Sequence, residues 1–252
     1  MLHHETRGDG PRRVMLLHGF LGSGRNLGSL ARRWSERDPG VQIVLADLTG
    51  HGRSPPLPPD PTLEGLATDL VELARHLETS TLVGHSLGGR VALAARQMAP
   101  QLLRGVTLLD IAPGAVPTAD IERILAALLA APAEAAHRDI MASSLRARGI
   151  AEPLIGWLLL NLERRGRGVA WRIHRERLAQ LHAHSGRLDL WSTLELGPTR
   201  CIRGGASSFV SDADARRMRA ARCPVQTLAE AGHFLHMDAP DALLALLAHG
   251  AT

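Results

Sequence analysis

The sequence predicts an α/β fold: a mostly parallel, twisted sheet flanked by helices, with a helical segment inserted over it. Three observations carry this expectation. Short apolar runs alternate with stretches of helical spacing, the pattern of a parallel sheet covered on both faces. Several runs end in a histidine, aspartate or glycine that opens a loop. One long stretch, residues 115–196, contains no convincing strand.

The elements follow in order. Val14 to Leu17 is a buried strand running into His18-Gly19, and Leu27 to Trp34 has helical spacing at Leu27, Leu30, Ala31 and Trp34. Val41 to Ala46 is the next strand and stops at Asp47. Thr49 to Pro61 holds Gly50, Gly52 and five prolines, so it reads as loop. Thr62 can cap a helix whose Leu63, Leu66, Leu70, Leu73 and Leu77 share one face. Thr81 to His85 is a strand, Leu87 to Met98 a helix, and Gly105 to Leu109 a strand that stops at Asp110. Ile121 to Ala131, Glu134 to Arg148, Pro153 to Arg164 and Val169 to His182 all read as helices. They divide the chain into a core, residues 1–114 and 197–252, and a cap, residues 115–196. Thr199 to Arg203 and Val225 to Leu228 are the last strands, and Asp241 to Ala248 closes the chain as a helix.

Composition narrows the function classes. The chain has 252 residues, 45% hydrophobic and 21% charged, enough for one sizeable globular domain. Every basic residue is arginine, and the formal net charge is only +4. Arg164, Arg165 and Arg167 form the one dense run, read as a solvated face with a phosphate patch as the alternative. With 3% aromatic residues and no interleaving of rings with arginines, nucleic-acid binding is not expected. No apolar run reaches about 18 residues, so no membrane span is expected either. The first residues lack the apolar core of a signal peptide, and Cys201 and Cys223 do not suggest a disulfide framework. A cytoplasmic protein is the resulting expectation; oligomeric state is not legible.

Three local patterns point to chemistry. The first is Gly84-His85-Ser86-Leu87-Gly88-Gly89, a G-x-S-x-G turn between an apolar strand and a helix. A turn that tight forces the serine into a strained conformation and leaves no room for side chains at 84 and 88. It lifts the Ser86 hydroxyl to a helix N-terminus, where developing negative charge is favoured. Ser86 is therefore the candidate nucleophile. The second pattern is His18-Gly19-Phe20 after the first core strand. Acyl transfer needs two N–H donors at the oxyanion, and the backbone of Leu87 and Phe20 would supply them. His18 itself reads as structural. The third is Gly232-His233-Phe234 after the last strand. It nominates His233 as general base, with His236 as its rival; His85 reads as a wall residue. The acid that orients the base should lie at the same sheet edge. Asp110 ends the strand after the nucleophile's unit and is the leading candidate; Asp212 and Asp214 are rivals that look like the charged first turn of a helix.

Taken together, Val14 to Phe20, Asp47 to Ser54, Gly84 to Gly89 and Ala231 to His233, in that order, resemble the α/β-hydrolases. The resemblance spans nearly all of the chain outside the cap. Gly22 to Asn26, Leu109 to Pro113, Ala170 to Arg172 and Ile202 to Gly205 are similar to a branch of small bacterial esterases. Members of that branch hydrolyse short acyl esters and sometimes acyl-CoA thioesters. The resemblance implies a small-molecule acyl ester or thioester substrate. A cofactor-free lyase or C–C bond hydrolase on the same three side chains is the alternative. No metal or cofactor is expected, since no His, Cys and acid cluster has ligand spacing. In the apolar cap, Trp157 and Trp171 are candidates for an acyl pocket, and Arg25 for contact with a polar leaving group. The chain departs from the common family pattern once. Where many members carry the acid in a Gly-x-x-Asp context, this chain reads Gly204-Gly205-Ala206-Ser207-Ser208, with serine where the acid would be.

Overall fold

The computed structural model describes residues 1–115 and 119–249. Its centre is a seven-stranded sheet: β1 (His4–Arg7), β2 (Arg12–Leu17), β3 (Val41–Ala46), β4 (Thr81–His85), β5 (Gly105–Leu109), β9 (Thr199–Gly204) and β10 (Val225–Leu228), in spatial order β1-β3-β2-β4-β5-β9-β10. All pairs are parallel except β1 on β3. β1 is an addition to the sequence expectation. Its His-Glu-Thr-Arg carries no apolar run, because an edge strand at the sheet margin buries little.

Alternation along the strands feeds two cores. Val14 and Leu16 of β2 point to one face, with Leu30 and Trp34 of α1 (Gly28–Arg37) and Leu243, Leu244 and Leu247 of α10 (Pro240–His249). Met15 and Leu17 point to the other, with α2 (Leu63–His76) and α3 (Leu87–Met98). Both faces are covered, so the middle strands have no solvated side and read as continuous apolar runs. α2 starts where Thr62 accepts a hydrogen bond from the Gly65 N–H at 3.0 Å.

Between β5 and β9 the chain adds no strand to this sheet among the described residues. It builds helices α4 (Ala119–Ala130), α5 (Arg138–Arg146), α6 (Glu152–Leu158) and α7 (Arg175–Ser185). The all-helical expectation for this stretch needs correction. β6 (Glu134–Ala135), β7 (Leu162–Arg165) and β8 (Gly168–Trp171) form a three-stranded antiparallel sheet in the order β6-β8-β7. The expected helices 134–148, 153–164 and 169–182 thus each surrender one end to a strand. Gly166, at φ 58, makes the tight hairpin between β7 and β8. Arg164 and Arg165 are exposed on that hairpin. After β9, α8 (Asp212–Ala220) leads to β10, and α9 (Leu235–Asp238) precedes α10. No described helix is long and apolar enough to cross a membrane.

Candidate active site

β4 and α3 meet at Ser86, whose φ of 51° and ψ of −117° lie outside ordinary L-residue space. Two glycines permit this. A Cβ on Gly84 would sit 2.4 Å from the backbone of Gly88, and one on Gly88 would sit 2.6 Å from the Leu17 carbonyl. The strand, the helix and the loop after β2 therefore approach closer than side chains allow.

The loop after β2 is held by its histidine. The Leu48 N–H donates to His18 Nε2 at 3.0 Å, so Nδ1 carries the ring proton and donates to the Gly19 carbonyl at 2.8 Å. Burial pushes the His18 pKa down to about 4, which keeps the ring neutral and Nε2 free to accept. Asp47 ties the neighbouring loops, accepting from the Gly24 N–H at 2.7 Å and the Arg53 N–H at 2.8 Å. Phe20 follows in this loop, and no acceptor meets its N–H among the described residues. Leu87 is the first residue of α3, so its N–H has no intrahelical acceptor.

His233 sits in the loop between β10 and α9. Its Nδ1 lies 2.8 Å from Asp110 Oδ2. A carboxylate only accepts, so the proton is on Nδ1 and Nε2 presents a lone pair. Phe209 stacks on the ring at 3.7 Å between centroids and 16° between planes. His85 Nε2–H donates to the His233 carbonyl at 2.8 Å and so grips the loop from beneath. Asp110 is fully buried, with φ at 50°. It accepts from the Gly204 N–H at 2.9 Å through Oδ1, and from the Ser207 hydroxyl and His233 through Oδ2.

Ser207 is the serine at the Gly-x-x-Asp place. It stands beside the carboxylate of Asp110 and donates to it. Its part, like those of Phe209 and His85, was missed in the sequence. The Gly204-Gly205-Ala206-Ser207 departure was the only available signal for Ser207.

The rival acids lie elsewhere, while His236 lines the same cavity as Ser86. Asp212 is the first residue of α8, exposed, and bound to Arg203 at 2.6 Å, which holds its carboxyl below the usual range. Asp214 makes a capping box with Ser211. His236 lies 5.2 Å from His85 between ring centroids, and burial pushes its pKa down to about 4.

Ser86 and His233 line one cavity of about 120 Å³. Its walls are mostly apolar, with Leu154, Trp157, Phe234 and Met237 facing His18 and Asn26. A second, smaller chamber of about 30 Å³ also touches Ser86, beside Phe20 and Leu87. Of the substrate-contact candidates, Trp157 alone lines the cavity. Trp171 is turned into the cap, its indole N–H donating to the Pro132 carbonyl at 2.9 Å. Arg25 is exposed and lines neither space; its neighbour Asn26, whose Oδ1 accepts from the Ser23 N–H at 2.7 Å, does. Strand β8 buries Trp171 in the cap and the short helix Gly24–Leu27 leaves Arg25 exposed, orientations that spacing alone does not reveal. Among the described residues no group of His, Cys, Asp and Glu could hold a metal ion.

A buried carboxylate, an oriented imidazole and a serine on a strained strand–helix turn define a hydrolase of the α/β class. The family model for the alpha/beta hydrolase family matches residues 14–246, and the chain belongs to that family. It is a carboxylic ester hydrolase. The chain is 30% identical to the sn-1-specific diacylglycerol lipase ABHD11 of Mus musculus, over 93% of this chain and 80% of that protein. It is 29% identical to Esterase YbfF of Escherichia coli K12, over 92% of this chain and 89% of the relative. A solved marine microorganism esterase superposes with a TM-score of 0.85 at 26% identity, covering 98% of each chain. These relatives favour ester hydrolysis over the lyase and C–C bond alternatives.

Proposed function

We propose that the chain hydrolyses small carboxylic esters through an acyl-enzyme on Ser86. His233 Nε2 takes the serine proton as the hydroxyl attacks the acyl carbon. Asp110 holds the ring in the Nδ1–H tautomer and stabilises the imidazolium that forms. The N–H groups of Leu87 and Phe20 receive the oxyanion. The imidazolium then protonates the leaving alkoxide, and His233 draws a proton from the water that releases the acid. The observation that carries this reading is the 2.8 Å Asp110–His233 hydrogen bond beside a serine at positive φ in the same cavity.

In this reading residues 1–114 and 197–252 carry the chemistry and residues 115–196 cap it, with Trp157 and Leu154 of α6 supplying one cavity wall. His233 lines the larger cavity, so the leaving group it protonates lies there. The apolar walls suit an alkyl or aryl alcohol; a thiol leaving group as in acyl-CoA is the related case. We place the enzyme in the cytoplasm, supported by two free, buried cysteines, Cys201 and Cys223.

The test is a fluorophosphonate label together with p-nitrophenyl ester and acyl-CoA panels, on wild type and Ser86→Ala. The label should map to Ser86, and the variant should lose about 10⁴-fold or more in kcat. Folded wild type that takes no label and turns over no ester or thioester would overturn the reading.

A further inference from the structure

The small chamber on the other side of Ser86 has a feature the hydrolytic steps do not use. His182 of α7 lines it, is only 8% exposed, and its Nε2 is buried with no hydrogen-bond partner among the described residues. Leaving such an atom unpaired costs stability unless a ligand or water satisfies it. The ring lies 5.5 Å from Phe20 between centroids, which sets it beside the loop that faces the oxyanion.

Arg90 of α3 lines the same chamber and is buried. Its five N–H groups are all taken by the carbonyls of Ala112, Gly114, Ser185 and Leu188. It therefore has no donor to spare, yet no carboxylate contacts it among the described residues. Its positive charge favours electron-rich atoms in the chamber. The remaining walls, Ile111, Ile121 and Phe209, are apolar except for Ser185, whose hydroxyl donates to the His182 carbonyl at 3.3 Å.

Which ester half belongs here follows from the proton. The leaving group must meet His233, and the deacylating water must meet it too. His233 lines the larger cavity and not this chamber. The acyl group, which stays on Ser86 while both events happen, is left with the small chamber. Its 30 Å³ accepts about two water-sized groups.

We infer that this chamber is the acyl subsite and that it selects short acyl groups carrying an oxygen acceptor two or three atoms beyond the carbonyl carbon, with His182 Nε2–H as the donor. The inference rests on Ser86 being the acylated residue. Burial lowers the His182 pKa, so the ring enters this contact neutral and can donate from Nε2 without bringing a charge. An ether, ketone or hydroxyl oxygen fits that role, and a methylene at the same place leaves the nitrogen unpaired.

The test compares p-nitrophenyl methoxyacetate with p-nitrophenyl butyrate, whose acyl groups have the same shape and differ by one oxygen. The kcat/KM ratio of the two, divided by the ratio of their hydroxide-catalysed rates, removes intrinsic reactivity. For wild type the corrected ratio should exceed one by about five- to tenfold. His182→Leu should bring it back towards one, and His182→Gln, which keeps a donor, should retain part of it; melting temperatures verify that both variants fold. A wild-type ratio at or below one overturns the inference whatever the variants do, as does an elevated ratio unchanged in folded His182→Leu. In either case labelling at Ser86 and turnover of butyrate show that the catalytic reading survives. Failure of both esters and of the label removes the two together.

Discussion

The sheet and the insertion above it are held by different forces. In β2, β4 and β5 the side chains at Val14–Leu17, Leu82–His85 and Val106–Leu109 are buried on both faces, and neighbouring strands pair through regular ladders. In β7, by contrast, three of four residues are exposed. The insertion is fastened to the sheet unit partly by side chains that reach across to carbonyls. Arg90 holds Ser185 and Leu188, Asn161 donates to the Leu21 carbonyl at 2.9 Å, and Arg177 donates to that of Leu57 at 2.6 Å. The sheet thus places Ser86, Asp110 and His233 through backbone geometry, and the insertion shapes the space around them through a few polar tethers. Changes in the first region should strike turnover, and changes in the second should strike stability and choice of substrate.

The sharpest way to break this contrast is at Asp110. Asp110→Asn should cost about 10³- to 10⁴-fold in kcat with little change in melting temperature, while Asp212→Asn stays near wild type. Adding Ser207→Asp to Asp110→Asn restores a carboxylate one hydrogen bond from the same place and should recover at least about tenfold of a 10⁴-fold loss. Steady-state kinetics on the four proteins decide this. The opposite ranking, with the large loss at Asp212 and Asp110→Asn near wild type, would move the acid to α8.

The next largest effect tests the tethers. Arg90→Met should cost about 3 kcal/mol in urea unfolding, because four buried or part-buried carbonyls lose their donor. Arg90→Lys should recover only part, since an ammonium cannot reproduce the planar fork. A loss below about 1 kcal/mol for Arg90→Met would show that the Arg90 tether adds little to holding the insertion.

Acid should loosen the loop end of the sheet. Burial pushes His18 down to about 4 and His51 to about 3, both below the ordinary 6.5. Between those values the unfolded chain binds protons that the folded chain refuses, so stability is complete above about pH 6.5 and falls as pH drops toward 4. At pH 5 each ring should contribute a loss of about 2 kcal/mol. Melting temperatures from pH 7.5 to 5 measure it, and His18→Gln should flatten the curve. A wild-type melting temperature that rises toward pH 5 contradicts it.

The smallest effect belongs to Trp157. It lines the larger cavity and stacks edge-on against Phe234 at 5.9 Å. Trp157→Ala should change the preference among alkyl, aryl and thiol leaving groups by about three- to tenfold. The acyl-length profile at a fixed leaving group should keep its shape. The reverse pattern would put the acyl chain in the larger cavity.

What was legible before the structure divides along the same line. β3, β4 and β5 were readable to the residue because strands buried on both faces announce themselves as apolar runs closed by loop residues; β10 was readable too, although it is an edge strand with Gln226 and Thr227 exposed. The Ser86 turn was readable because its backbone tolerates only glycine at 84 and 88. β1 was not, since its alternation lies between half-buried polar residues. β6, β7 and β8 were not, because Leu162-Glu163-Arg164-Arg165 has the composition of a helix and becomes a strand only by pairing with Gly168–Trp171.

By itself, then, the sequence determined where six of the seven sheet strands lie along the chain, the strained turn at Ser86 and the two places, 110 and 233, from which strand ends present an acid and a histidine. These depend on short-range sterics and on burial, which local residue choice encodes. The tertiary structure alone decided that Ser207 hands a hydrogen bond to Asp110, that Phe209 and His85 fix the ring and loop of His233, and that Trp171 and Arg25 turn away from the site. It also decided that His182 closes a chamber beside Ser86 with an unpartnered nitrogen. The Ser207–Asp110 and His85–His233 contacts join segments 97 and 148 residues apart. Spacing along a chain cannot state where distant segments meet; the packing of an insertion on a sheet does.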